Sequence, residues 1–561
     1  MSEQQQHDDV VVVGAGLSGL ATALGLALRG RTVTVFEAGD LLGGAAAYSG
    51  GQVWVGANHV AVREGIAGDS PELAERYVRA IAHAHPEVLD EAAMRRWLET
   101  SPEAIRYWED VGAIRWTVIP GLADYHNEAD GALPQGRYLT NEAIDGSVLG
   151  EWRDRLRVSP YFPVGTTYAE MFVKGRRLTH VDEESAGEQA GVQAFGLPDR
   201  RDEQAATPDR LTFGTGVVAS FLARVLREPG IRLHLEHRVT ALLTDEDGAV
   251  VGVRAEGPQG PVERRGPVVL ATSTYDWDPE LVRELTGLGP EDFGSVAPRT
   301  IRGDGIRLAR QVGGAVATLP ATAIPMLPGW PTDGGVGYAY GPDYAMPHCL
   351  IVDRTGRRYC DDSYWVDIVA KTMDPASPHL PFFLIFDEQH HRKYGLGATP
   401  PGGEYPAGLV TSAPTLQALG DALGIDGDEL AKTAASFSDN ARRGVDPDFG
   451  RGTVDYVRRF AGDPANEPSP VLGPVEEAPF HGFRLRFVGT AIGTSGVRID
   501  GDGHVLGDDG GRIPGLYAVG SCAALTTVGT GYNSGIALGR GLTLAYLVSS
   551  ELGGGNDDAR R

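Results

Sequence analysis

Gly14-Ala15-Gly16-Leu17-Ser18-Gly19 stands between four consecutive valines and a run of small apolar residues, and this stretch constrains the fold more than any other. Four β-branched residues favour a strand, and three spaced glycines before "LATALGLALRG" favour a tight turn that opens a helix. "TVTVFEA" supplies a second strand, so residues 9–37 predict a βαβ unit. Gly14 permits the turn, Gly16 lets backbone approach a pyrophosphate, and Gly19 lets helix pack close on strand. The helix N-terminus offers N–H groups and a positive dipole end to phosphates. Glu37 follows roughly 20 residues on, where a carboxylate accepts from a ribose diol. The unit predicts a dinucleotide site.

The same stretch is apolar enough to resemble a signal or membrane span. Asp8 and Asp9 precede it where a signal peptide wants positive charge, and no small-residue cleavage site follows. No other window approaches the ~18 apolar residues of a span, so no membrane span is expected. At 561 residues the natural expectation is two domains. A formal charge of −25 argues against nucleic acid or an anionic membrane as partner. Cys349, Cys360 and Cys522 fall in no CxxC spacing and fit neither a disulfide framework nor a zinc site. No metal is expected, and a cytoplasmic location suits the thiols.

Helical patterns lie at 70–84 and 90–112, and another follows in "GVVASFLARVLREPG". Strands are expected across 231–257 with a turn at Asp247-Gly248, and "GPVVLATS" at 266–273 reads as a buried parallel strand. Residues 181–210 are charged and poor in β-branched residues, which predicts an exposed mobile insertion. A second glycine-rich stretch at 43–58, with Gly43, Gly44, Ser49, Gly50 and Gly51, suits backbone passing close to a flat ring system. One fingerprint alone gives no sign of a separate nicotinamide domain.

Beyond these motifs the chain resembles the 3-ketosteroid dehydrogenases of the fumarate reductase and succinate dehydrogenase flavoprotein superfamily. The likeness rests on "YSGGQVWVGAN", "IPGLADYHNEADG", "DWDPELVREL", "GDGIRLARQVGGA", "DRTGRRYCDDSYW" and "GLYAVGSCA…GTGYNSGIALGRGLTLAYL". It implies an α/β fold in which a Rossmann-type FAD-binding domain is assembled from both chain ends, 1–299 and 474–561. An inserted α+β catalytic cap would span 300–473. It implies FAD, held through Gly14, Ala15, Gly16, Ser18, Gly19, Glu37, Ala38, Gly44, Ser49, Gly50, Gly51, Val239, Ala271, Gly520, Ser521, Ile536 and Leu538. Relatives with covalent flavin attach it to a histidine after the glycine pair; "GGAAAYSGG" has none, so non-covalent FAD is expected.

The implied activity is insertion of a double bond beside a ketone of a steroid or similar fused ring, with an unidentified electron acceptor. Tyr532 and the Gly535 N–H would hold the ketone, Tyr364 would take the α proton, and Tyr125 would support Tyr364. The flavin N5 would take the hydride. Ser534 adds a Tyr-x-Ser arrangement with Tyr532 that resembles the Δ4-(5α) enzymes, while the Δ1 enzymes place more residues between the tyrosine and the glycine. The family's paired tyrosines stand here as Tyr125-His126, and Arg302 reads as a structural ion-pair partner. Δ1 desaturation of a 3-ketosteroid leads. The alternatives are Δ4-(5α) desaturation or desaturation of another cyclic ketone in secondary metabolism, reduction of an unsaturated acid in the manner of fumarate reductase, and a flavin-binding scaffold without turnover, against which the tyrosines count. The reduction needs arginine clamps, and the central stretch offers tyrosines instead.

Overall fold

The computed structural model describes residues 10–173 and 209–554, apart from 84, 161, 163–164, 333–336, 398 and 530. The stretch 181–210, expected to form an insertion, lies outside the described residues except for its last two.

The first strand is Val10–Val13, and all four valines are buried. Such a run with no polar alternation suits a strand covered on both faces. It lies parallel to Val33–Phe36 and to Val268–Leu270, the strand anticipated in "GPVVLATS". Ile231–His234 extends the sheet on one side. Arg512–Ala518 extends it on the other, also in parallel, and His504–Leu506 closes that edge antiparallel. One six-stranded sheet therefore takes strands from both ends of the chain.

Helix Leu17–Leu28 leaves the glycine turn, and the C-terminal helix Ile536–Leu552 packs against it. Gly25 makes the approach possible, because a Cβ there would come 2.3 Å from the Ser549 hydroxyl. Ser70 and Asp90 cap helices Pro71–Ile81 and Glu91–Asp110 by accepting from Leu73 and Ala93 N–H. The capping residues set where these two helices start.

Two four-stranded sheets draw on the middle of the chain. One joins Phe293–Ser295, Arg486–Gly489, Met326–Thr332 and Gly337–Tyr340; the other joins Cys349–Asp353, Phe382–Phe386, Phe480–Arg484 and Thr411–Ala413. A smaller sheet of Val53–Trp54, Tyr138–Asn141 and Trp116–Val118 lies beneath the loop that carries Tyr125. No helix among the described residues is long and apolar enough to cross a membrane.

Candidate active site

A continuous cavity, about 1880 Å³ including its mouth, opens at the carboxyl ends of the central strands. Val13, Gly14, Phe36, Glu37, Ala271 and Gly520 line it, each at or just beyond the end of a sheet strand. Ligands of open α/β sheets bind in this crevice.

The glycine turn has the form the fingerprint requires. Gly14 sits at φ +109°, and a Cβ there would come 2.4 Å from the Ala271 carbonyl oxygen. Gly44 lies against Gly16, where a Cβ would reach the Gly16 Cα at 3.3 Å. The two bare backbones leave the cradle free for a phosphate. Glu37 is fixed by two backbone donors: Ala15 N–H to Oε2 at 3.0 Å and Gly39 N–H to Oε1 at 2.9 Å. Burial pushes its pKa up, and those two N–H bonds oppose the shift.

Gly16, Ser18, Ala38, Ser49, Gly50, Gly51, Val239, Ser521 and Leu538 line the cavity as well. Three expected cofactor contacts do not. The Ala15 N–H is spent on Glu37, Gly19 packs on the Gly14 carbonyl, and Ile536 is fully buried in the core beneath.

At the other end the walls are aromatic: Tyr125, Phe162, Tyr168, Trp365, Tyr456 and Tyr532. Gly535 (φ +82°) caps the C-terminal helix, and a Cβ there would strike Trp54 N at 2.7 Å. Its carbonyl accepts the Trp54 N–H at 3.0 Å, which ties the "YNSG" loop to the small sheet. Neither the Gly535 N–H nor the Tyr532 hydroxyl has a partner among the described residues, and both residues line the cavity.

Asn533 holds this loop in register. It is fully buried, and its Oδ1 accepts from Tyr77 O–H (2.8 Å), Tyr138 O–H (2.9 Å) and Tyr125 N–H (2.8 Å). One amide oxygen therefore couples the Tyr532 loop to the Tyr125 loop. The Tyr125 loop is anchored further by Asp124, which takes Trp54 Nε1–H at 2.7 Å and Arg137 Nη1–H at 2.8 Å.

Tyr125, Ser534 and Tyr456 cluster on this wall: the rings of Tyr125 and Tyr456 stand 4.1 Å apart, and Ser534 and Tyr456 lie near enough to Tyr125 to lower its pKa. Ser534 Oγ donates to Gln52 Oε1, and the Tyr168 O–H donates to the Gly50 carbonyl at 2.8 Å. Burial raises the pKa of Tyr125, Tyr456 and Tyr532, so these phenols stay protonated at neutral pH; Ser534 and Tyr456 pull Tyr125 the other way.

Tyr364, expected to act as the base, is not among the residues that line the cavity. It precedes helix Trp365–Thr372, and the residue turned to the cavity is its neighbour Trp365. Its hydroxyl meets His126 Nδ1 at 3.4 Å. His126 in turn donates Nε2–H to the Tyr532 carbonyl at 2.9 Å, and burial lowers its pKa and keeps it neutral. His126 thus props the backbone of Tyr532. Arg302 Nε donates to the Arg299 carbonyl, and its charge helps hold down the Asp304 carboxyl against the upward push of burial. Gln52, Tyr168, Tyr456 and Asn533 were not anticipated. Gln52 and Asn533 adjoin named motif residues, whereas Tyr168 and Tyr456 carry no sequence signal.

The family described as "FAD binding domain" matches residues 9–538. The chain belongs to this FAD-binding family. With it the chain joins the FAD-dependent dehydrogenases that act on CH–CH bonds. A relative from Sinomonas cyclohexanicum, 4-oxocyclohexanecarboxylate 2-dehydrogenase, is 32% identical over 98% of this chain and 94% of its own. The 3-oxosteroid 1-dehydrogenase of Mycobacterium tuberculosis is 29% identical, over 97% of this chain and 98% of its own. In fold, the 3-ketosteroid delta1-dehydrogenase of Sterolibacterium denitrificans aligns with a TM-score of 0.80 at 22% identity, covering 98% of this chain and 99% of that one. The cradle fits FAD: bare glycine backbone at Gly14, Gly16 and Gly44, a fixed acid at Glu37, and a cavity that continues to a second, aromatic end.

Proposed function

We propose that the enzyme inserts a carbon–carbon double bond beside the carbonyl of a neutral, fused-ring ketone of the 3-ketosteroid class. The observation that carries this reading is the pair of donors without a partner among the described residues, Tyr532 O–H and Gly535 N–H, on a cavity wall that also presents Tyr125, Ser534 and Tyr456.

FAD, when bound, supplies a two-electron acceptor for the hydride. The chain does the rest. Tyr532 and Gly535 donate to the ketone oxygen, so that charge developing there is stabilised and the neighbouring C–H becomes acidic. Tyr125, once it has lost its own proton to solvent, takes the α proton as a phenolate, a form that Ser534 and Tyr456 favour. Tyr125 is assigned this task in place of Tyr364 because Tyr125 lies at the wall; Tyr364 acts through His126. Phe162, Trp365, Ile492 and Leu327 give an apolar surface for fused rings.

Charge separates the alternatives. Among the described residues no arginine or lysine lines the cavity. Carboxylate substrates are clamped by such groups. This favours a neutral ketone over a keto acid of the kind named for the Sinomonas relative, and over an unsaturated diacid. The remaining parts of the proposal are non-covalent FAD, a reducing cytoplasmic setting for three buried free thiols, an external electron acceptor, and a cap formed around 300–473, which contributes Pro325, Leu327, Trp365 and Tyr456 to the cavity.

Anaerobic mixing with 3-ketosteroids and with 4-oxocyclohexanecarboxylate tests the reading through loss of the yellow flavin absorbance. Steroid ketones are expected to bleach the flavin, with Δ1 products first. Tyr532→Phe is expected to slow bleaching about 10²–10³-fold with flavin still bound. Bleaching by the keto acid alone, or a wild-type rate in Tyr532→Phe, overturns it.

A further inference from the structure

A second constellation lies away from the cavity, on the four-stranded sheet of the middle region. Glu388 and His391 are one turn apart on helix Glu388–Lys393, and His481 is on strand Phe480–Arg484. Phe386, two residues before Glu388, pairs with His481 in the antiparallel register, which sets the helix directly beside the strand. One oxygen, Glu388 Oε2, faces both imidazoles: His481 Nε2 at 3.1 Å and His391 Nδ1 at 3.3 Å. The three ligand atoms lie within 4.8 Å of one another. None of the three residues lines the flavin cavity.

The far nitrogens show what this arrangement is suited to hold. His391 Nε2 lies 2.9 Å from the Gly403 carbonyl, which can only accept, so Nε2 carries the proton. His391 Nδ1 and Glu388 Oε2 face each other at 3.3 Å, and a cation seated beside them would take both as ligands. His481 Nδ1 is held at 2.8 Å by Ser412 Oγ, from the residue paired with it on the neighbouring strand. Each imidazole is thus oriented through its other nitrogen, as metal-ligating histidines are.

The spacing also fits. Ligands at about 2.0–2.2 Å from a tetrahedral zinc lie about 3.3–3.6 Å from one another along the tetrahedron's edges. The two measured separations, 3.1 and 3.3 Å, are close to that. Side-chain exposures of 20% for Glu388 and 17% for His391 leave the site reachable from solvent, while His481 is 6% exposed beneath them. Tyr405 packs its ring 4.9 Å from His391, and its buried hydroxyl has no partner among the described residues.

We infer that Glu388, His391 and His481 form a binding site for a divalent cation of the zinc type, separate from the flavin site, which fastens the helix to the sheet. Two histidines and a carboxylate are the donor set that borderline cations such as zinc prefer. The sequence conceals this site because His481 lies 90 positions from His391 and no cysteine spacing advertises it.

The test uses untagged holoenzyme stripped with a chelator, then titrated with zinc against a fluorescent zinc indicator, with flavin absorbance as the check on folding. Wild type is expected to take up about one zinc per chain and to melt at a higher temperature with zinc than without. His391→Gln and Glu388→Gln are expected to lose that uptake with flavin still bound. Ser412→Ala, which leaves all three ligands in place, is expected to weaken zinc about 10-fold. No uptake by wild type, or equal uptake by wild type and His391→Gln, overturns the site and leaves Glu388 in an ordinary hydrogen-bonded pair with its two imidazoles.

Discussion

Replacing Asn533 by alanine is the sharpest single perturbation of the reactive end. Its Oδ1 collects three buried donors, the hydroxyls of Tyr77 and Tyr138 and the N–H of Tyr125. Each buried donor left without a partner costs about 1–3 kcal/mol, so the change is expected to cost about 3–6 kcal/mol after some re-pairing with water. Tyr77→Phe and Tyr138→Phe serve as controls. Tyr138→Phe removes a donor together with its bond and is expected to cost about 1 kcal/mol, and Tyr77→Phe somewhat more because the Tyr77 hydroxyl also accepts the His126 N–H at 3.4 Å. In the Tyr77→Phe/Tyr138→Phe background, Asn533→Ala then orphans one donor in place of three, and its cost is expected to fall by more than half. The assay is the urea midpoint of flavin release, read by FAD fluorescence, beside the rate of flavin bleaching by ketone. The rate is expected to drop with stability, because the same oxygen sets Tyr532 against Tyr125. An Asn533→Ala enzyme with an unchanged midpoint and rate would show that the two loops are positioned without it. Equal costs in the two backgrounds would refute the argument from orphaned donors.

Other outcomes follow from the same geometry. Because burial raises the Tyr125 pKa and the base must lose its proton first, log kcat is expected to climb with pH from 7 to 9.5, and Tyr456→Phe is expected to shift that climb to higher pH; a flat profile would remove the phenol as base. Asp362 is fully buried against Arg358 (2.7 Å) and Arg451 (3.0 Å); burial raises its pKa, but the two guanidinium groups outweigh this and hold it down to about 2. Its folded pKa is depressed, so its contribution is present above the unfolded value near 3.9 and is lost as pH falls from about 4 towards 2. Asp362→Asn is expected to cost about 3–5 kcal/mol at neutral pH by stranding buried Arg451, while Arg358 keeps Asp446 at 2.8 Å, and chemical denaturation reads it. Acid precipitation is expected to leave FAD in the supernatant; colour retained by the pellet would contradict a non-covalent cofactor.

Local chemistry alone determined a good part of this protein. Valines 10–13, the Gly14–Gly19 turn and Glu37 form a contiguous segment whose roles depend on neighbours a few residues away, so the βαβ unit was legible in full. The role of "YNSG" came from the resemblance, and the left-handed Gly535 that starts the helix is set against Trp54 from the far end of the chain. Roles that depend on what the chain folds against were decided only in three dimensions. Tyr364 and Trp365 are adjacent, and only the direction in which helix Trp365–Thr372 starts determines which of them meets the cavity. Tyr456 joins Tyr125 from over 300 positions away, and Asn533 draws its three donors from three separate elements. His126 likewise became a prop because a carbonyl from the far end of the chain came within its reach. Sequence dictates conformation where the partners are neighbours along the chain; packing assigns function where they are not.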